Sequence, residues 1–384
     1  MITELIHAKV FLNNHEIPDS HIVLQEGVIQ SVGKWQGNTA SQYSKIIDAS
    51  NWTASAGWID IQLNGGFGYD FTEQPEKIWE VAAQIPQYGT TSFLPTIITA
   101  PMERYQQAID VLRAGPPAGW KGAVPLGLHI EGPFLNPGKK GAHNPNHLKL
   151  PDLSGIQDWS RKNGVFLVTL APELPGALEI ASSLMDRGVV VSAGHSLATY
   201  EQAEIAFHSG FDCATHLFNA MPALDHRAPG LTGAILDHTD VKAGIIADGI
   251  HVHPALLRTA WQCNGPARLM LITDAMAALG MAPGTYKLGD QTTLVDTHTA
   301  RLQNGTLAGS ILTQEQALQN MMRYCNATAA EILPTLTSVP AGLFRLTNKG
   351  SILPGMDADL TLINENGVVQ MTFVSGQLLY SCCP

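Results

Sequence analysis

Val124-Pro-Leu-Gly-Leu-His-Ile-Glu-Gly-Pro-Phe-Leu (124–135) is an apolar run that ends on a carboxylate, Glu131, and is broken at once by Gly132-Pro133. Alternation through Leu126, Leu128 and Ile130 predicts a buried strand, and Gly-Pro cannot continue a sheet ladder. Glu131 therefore falls where strand becomes loop, which is where catalytic groups gather on a βα scaffold. A strand-end Glu that caps a neighbouring helix or pairs with a surface Lys fits this placement equally well. The balance shifts because the same pattern, an apolar run, a polar residue and a turn, recurs with His195, His216 and Asp274.

From Ala56 onward strands alternate with helices. Eight candidate strands cover 57–63, 91–97, 125–130, 165–170, 188–193, 213–217, 242–247 and 269–273. Between them, apolar residues at three- and four-residue spacing (Ile78/Val81/Ile85, Tyr105/Ala108/Leu112, Ile180/Leu184, Ala203/Phe207, Leu256/Ala260) predict helices. Their exits are marked by Gly89, Gly115, Gly188 and Gly210. Eight such repeats give an α/β fold of the (β/α)8 TIM-type barrel class. A doubly wound open sheet is the alternative, but Asn64-Gly-Gly-Phe-Gly is too irregular for a dinucleotide loop.

Residues 1–55 carry short alternating runs separated by Asn13-Asn14, Glu26-Gly27 and the polar stretch 37–44, and predict a small antiparallel β unit. After a helix over 313–325 and apolar residues at 327–333, the tail at 350–363 and 370–376 returns to strands. Both chain ends, 1–55 and 345–384, are expected to form one β-sandwich side domain beside a barrel at 56–344.

The 384 residues are 45% hydrophobic and 14% charged, enough for a sizeable core. A formal net charge of -11 and the lack of any Lys/Arg-rich block argue against nucleic acid or an anionic membrane as partner. An anionic small ligand would need its own local Arg. The five cysteines, Cys213, Cys263, Cys325, Cys382 and Cys383, form no CxxC and suit a reducing cytoplasm. The N-terminus does not resemble a signal peptide, and no stretch has the length of a membrane span.

The strand mouths present Gln62 and Asn64, Glu131, His195, His216, the pair Asp248 and His251, and Asp274. Strand ends of a closed barrel converge, so these distant residues become neighbours. One Glu and two His form an N/O donor set suited to zinc or a similar divalent ion, with a position left open for water. Asp274 is then the candidate base and acid.

Taken singly, His195 reads more readily as a half-buried strand-end residue, His216 as a neutral core histidine within the sixth strand, and Asp274 as the N-cap of a helix at 275–279. Their position at separate mouths of one barrel favours the metal site. Of His251 and His253, one is expected to face ligand and the other solvent. Asn219 and Arg227, with a backbone amide, suggest a phosphate pocket, although a lone loop Arg is usually only solvated.

The motifs at 127–135, 140–145, 191–196, 214–221, 246–251 and 273–276, with Gly-Met-Asp-Ala-Asp-Leu in the tail, resemble the N-acetylglucosamine-6-phosphate deacetylases of the amidohydrolase superfamily. The resemblance runs essentially end to end. It implies a barrel with a β-sandwich formed by both termini, usually in a homodimer, and an amino-sugar phosphate as substrate. It further implies metal ligation by Glu131, His195 and His216, acid–base work by Asp274, and polarisation of the acetyl carbonyl by His143. Sugar contact would fall to His251, and phosphate contact to Asn219, the Ala220 amide and Arg227, the last in the neighbouring subunit's site. Ala142, Asp248 and the segment Leu307, Ala308, Gly309 would complete the pocket.

One departure stands out. Many superfamily members carry His-x-His at the first strand end and bind two metals, whereas this chain has Gln62 and Asn64. Amides are poor zinc ligands beside imidazole, so a single metal ion is expected. Rival activities are deacetylation of the galactosamine epimer, cyclic-amide hydrolysis, and a non-catalytic sugar-phosphate sensor.

Overall fold

The structure, a computed structural model, describes residues 2–12, 15–39 and 44–382. The Asn13-Asn14 turn and Cys383 lie outside the described residues. At the centre is a nearly closed barrel of parallel strands: Trp58–Leu63, Thr90–Ile98, Leu128–Glu131, Val165–Leu170, Val190–Ala193, Cys213–Ala214, Lys242–Ile246 and Leu269–Ile272. Each pairs in parallel with the next. Helices wrap the outside, so both strand faces are buried and the strands read as apolar runs.

The first and eighth strands close on each other at their C-terminal ends. The Asp274 N–H donates to the Gln62 carbonyl at 2.8 Å, and the Asn64 N–H to the Ala275 carbonyl at 2.8 Å. Below this seam the buried Asp60 side chain accepts from the Thr273 hydroxyl at 2.6 Å and from the Gln62 N–H at 3.2 Å. Burial pushes the Asp60 carboxyl up to about 7 against those hydrogen bonds.

Several boundaries differ from the sequence expectations. The third strand is split: Val124–Pro125 and Leu128–Glu131 both pair with Thr90–Ile98, and the chain breaks at Leu126-Gly127. The sixth strand stops at Ala214, so His216 lies past its end. The helix expected through Ile78 and Ile85 ends at Ala82 and resumes as a single turn, Ile85–Tyr88, with Pro86 unable to donate an N–H to an unbroken helix. No helix follows Asp274, which rules out the N-cap reading. An additional helix, Gly230–Asp237, follows the sixth strand.

The chain ends form one eight-stranded sheet, in the order Gln377–Ser381, Val369–Val374, Leu360–Ile363, Thr53–Ala56, Ile2–Leu12, His15–Gln25, Val28–Lys34. Lys45–Asp48 pairs with the first half of Ile2–Leu12 and Thr53–Ala56 with its second half, so a single sheet forks at that strand. Within the tail, strand structure begins only at Leu360. The sheet has its own apolar core, including Leu5, Ile22, Leu24, Leu360 and Phe373. A three-stranded meander not anticipated from the sequence, Gly284–Leu288, Gln291–Val295 and Ala300–Leu302, follows the eighth strand. Its Gly289-Asp290 turn between alternating runs is the hairpin signal that could have revealed it. No helix among the described residues is long and apolar enough to cross a membrane.

His129 points into the barrel from the third strand, with Nδ1 3.2 Å from the Thr96 hydroxyl and Nε2 2.8 Å from the Thr169 hydroxyl. Burial lowers its pKa to about 4. An unfolded chain binds this proton below about 6.5 and the native chain does not until about 4, so stability falls as pH drops through that window. His129 alone should contribute a loss of about 3 kcal/mol. In urea titrations at pH 7 and pH 4, His129→Gln should lose less stability on acidification than the wild type; an equal loss would refute the assignment.

Candidate metal centre and active site

Glu131 ends the third strand, and its position depends on the next residue. Gly132 has φ 96°, and a Cβ there would run into the Thr99 hydroxyl. His195 follows the fifth strand with φ 48°, His216 the sixth with φ 31°, and Asp274 the eighth with φ 48°. Each of these three leaves its strand in the left-handed region, turning the side chain into the barrel mouth.

Glu131 Oε1 lies 3.1 Å from His195 Nε2 and 3.0 Å from His216 Nε2, and the two nitrogens are 3.0 Å apart. All three side chains are at most 5% exposed. Burial alone would raise the Glu131 pKa, but the close contacts with His195 and His216 hold it well below the usual carboxylate range. For His216, burial opposes protonation while the Glu131 hydrogen bond and charge raise its pKa.

One tautomer follows from the neighbours. His195 Nδ1 donates to the Lys139 carbonyl at 2.8 Å, leaving the Nε2 lone pair for a ligand. His143 Nδ1 lies 2.8 Å from the Thr99 hydroxyl and 3.3 Å from the Thr99 backbone nitrogen, so Nε2 is the nitrogen left facing the cavity. Burial, followed by the charge of His195, depresses the His143 pKa to about 3, and the ring stays neutral. Its ring centroid lies 4.5 Å from that of His195.

Gln62 and Asn64 serve as donors. Gln62 Nε2 bridges Glu131 Oε1 at 3.2 Å and Asp274 Oδ1 at 3.1 Å, while Asn64 Nδ2 donates to Asp274 Oδ1 at 2.7 Å. Burial and then the charge of Glu131 push the Asp274 carboxyl up to about 6.

A cavity of about 350 Å³ opens over this group. Of the residues singled out in the sequence, Ala142, His143, Asn219, Ala220, His251, Leu307 and Gly309 line it with the four central side chains. Others, Gln62 among them, do not. Ala308 is fully buried beside Met276 and Leu288, and Arg227 is exposed on its loop. Asp248 stands behind His251, accepting its Nδ1–H at 2.6 Å, and so orients the ring. His253 caps the helix Pro254–Arg268, in keeping with a solvent-side role. Residues the sequence did not single out also line the cavity: Ile98, Lys139, Leu288 and Thr306.

Among the described residues, the only group of three or more His, Cys, Asp and Glu side chains arranged to hold a metal ion is Glu131, His195 and His216. Tetrahedral zinc with bonds of about 2.0–2.1 Å has ligand–ligand edges of about 3.3 Å. The observed separations of 3.0–3.1 Å are close to one face of that tetrahedron. The donor set therefore fits a divalent cation.

Residues 53–379 match the Amidohydrolase family. The chain belongs to the amidohydrolase family. It is thus a member of a metal-dependent family, in agreement with its Glu-His-His group. This amidohydrolase is 36% identical to the N-acetylglucosamine-6-phosphate deacetylase of Danio rerio, over 99% of this chain and 97% of the relative. It is 38% identical to that of Homo sapiens, over 84% and 82%. Among solved structures, the Pasteurella multocida N-acetylglucosamine-6-phosphate deacetylase superposes with a TM-score of 0.91 at 30% identity, covering 98% of this chain and 99% of that one. A mutant of the Mycobacterium smegmatis enzyme in complex with N-acetyl-D-glucosamine-6-phosphate gives 0.90 at 30% identity, covering 99% and 100%.

Removing a ligand should cost the amidohydrolase more metal affinity than the roughly 10–100-fold lost with an outer partner. Metal analysis of purified His195→Ala and His216→Ala should find far less bound divalent cation than in wild type. Full retention in both would show that the cation sits elsewhere.

Proposed function

We propose that this chain hydrolyses the N-acetyl group of N-acetylglucosamine 6-phosphate to glucosamine 6-phosphate and acetate, with Asp274 as base and acid. The observation that carries this is a half-buried carboxylate, Asp274, pushed up to about 6 and facing the Glu-His-His group at one cavity. A base for such chemistry works best with a pKa near the operating pH. The substrate is taken from the relatives named above.

When bound by Glu131, His195 and His216, a divalent cation, with zinc the best match to the donor set, polarises a carbonyl and lowers the pKa of water to about 7. Asp274 accepts the proton of the water that attacks the amide carbon. His143, kept neutral by burial, turns Nε2 to the carbonyl oxygen and donates there as negative charge develops. Asp274, now protonated, passes the proton to the departing amine. His251, fixed by Asp248, offers its remaining nitrogen to the sugar, and Ala142, Leu307 and Gly309 enclose it, with Ala308 packed behind them.

The proposal includes a catalytic (β/α)8 TIM-type barrel at 56–344 and a side domain from 1–55 and 345–384. It also includes one zinc ion per chain and a cytoplasmic homodimer in which Arg227 serves the neighbouring cavity. The exposure of Arg227 outside its own cavity supports the last point.

Asp274→Asn should lower kcat by about 10²–10⁴-fold and leave the bound metal in place. Acetate release from N-acetylglucosamine 6-phosphate, run beside the galactosamine epimer and paired with metal analysis, checks this. Near-normal turnover by the variant would refute Asp274 as base, and preference for the epimer would change the substrate.

A further inference from the structure

At one side of the cavity Asn219 and Ala220 lie together with Lys139. Among the described residues that line this cavity, Lys139 is the only lysine or arginine. Its ammonium donates to the Met221 carbonyl at 2.6 Å and is thereby held beside the Asn219–Ala220 loop. The candidate phosphate cation from the sequence, Arg227, is exposed on a loop where its own N–H is tied to Asp225 at 2.8 Å.

A phosphate dianion entering this cavity meets two carboxylates, the buried Glu131 and the half-buried Asp274, in a protein of net charge -11. Repulsion between like charges is strong where water is excluded, so a cation must face the phosphate within the cavity. An ammonium carries three N–H donors, and only one is used by Met221. Lys139 also lies in the turn Pro137–Lys139, which the Asn136 side chain caps, and its carbonyl fixes His195 at 2.8 Å. The main chain of this residue thus orients a metal-ligand histidine while its side chain reaches the Asn219 loop.

We propose that Lys139 binds the substrate phosphate from within this chain's own cavity, acting with Asn219 and Ala220 and beside the Arg227 that the neighbouring subunit would supply, and so contributes to the preference for phosphorylated over unphosphorylated sugar. The inference rests on the proposed deacetylase activity. Its rival is a purely bracing role, in which the Met221 hydrogen bond only holds the loop. Lys139→Gln separates the two, because the amide still donates to a carbonyl but carries no charge.

The experiment measures kcat and KM of the metal-loaded enzyme on N-acetylglucosamine 6-phosphate and on N-acetylglucosamine. In Lys139→Gln and Lys139→Met, the ratio of kcat/KM for phosphorylated over unphosphorylated sugar should fall by about 10–100-fold, mainly through KM. Lys139→Arg should recover most of it. An unchanged ratio in the Gln variant, or equal losses on both sugars, would overturn the inference and leave the function standing. Failure of both neutral variants to fold, judged by thermal melting, would assign the side chain the bracing role and also overturn it. A wild type that releases no acetate from the phosphorylated sugar would bring down the function and the inference together.

Discussion

The site depends on how a buried carboxylate and a half-buried one coexist. Glu131 and Asp274 face one space, and a like pair out of water is strongly unfavourable unless fixed donors divide them. The amide of Gln62 lies between them, 3.2 and 3.1 Å from their oxygens, and the remaining charge is met by two histidines on one side and Asn64 on the other. This gives the first strand end a role other than ligation. Where an imidazole pair would offer lone pairs, Gln62 and Asn64 offer N–H groups, which stabilise carboxylates and keep Asp274 in place to exchange a proton.

Those amides are aimed by the barrel seam. Main-chain hydrogen bonds from Asp274 to Gln62 and from Asn64 to Ala275 join the first and eighth strands beside the side chains that do the chemistry. Closure of the fold and placement of the base are one set of contacts. The same economy holds at His195, His216 and Asp274, whose left-handed backbone costs of order 1–3 kcal/mol each. Strands paired on both sides and helices packed outside hold that strain, and it aims the side chains inward.

Much of the fold was legible because parallel barrel strands are buried on both faces and so appear as unbroken apolar runs. Six of the eight strands lie close to their expected limits, while the third is broken at Leu126-Gly127 and the sixth is cut short. The sixth was drawn too long because Leu217 continues the apolar pattern past Ala214, although the backbone has already turned at His216. The meander at 284–302 is signalled in the sequence only by the Gly289-Asp290 turn between two short alternating runs, a local cue that helix and barrel periodicity do not carry. The forked terminal sheet was beyond reach, since pairing two strands along one edge of a third is a matter of register between distant segments.

The sequence alone determined the alternation of strands and helices, the residues at the strand mouths, and the chemistry open to one carboxylate beside two imidazoles. These are local properties, written in periodicity and residue type. Only the tertiary structure decided that Arg227 stays outside its own cavity while Lys139 lies within it, that Asp248 orients His251 from behind, and that Gln62 bridges two acids. Each of those facts depends on which loops meet over the barrel mouth. Such meetings are fixed by long-range closure of the strands, which no local pattern encodes.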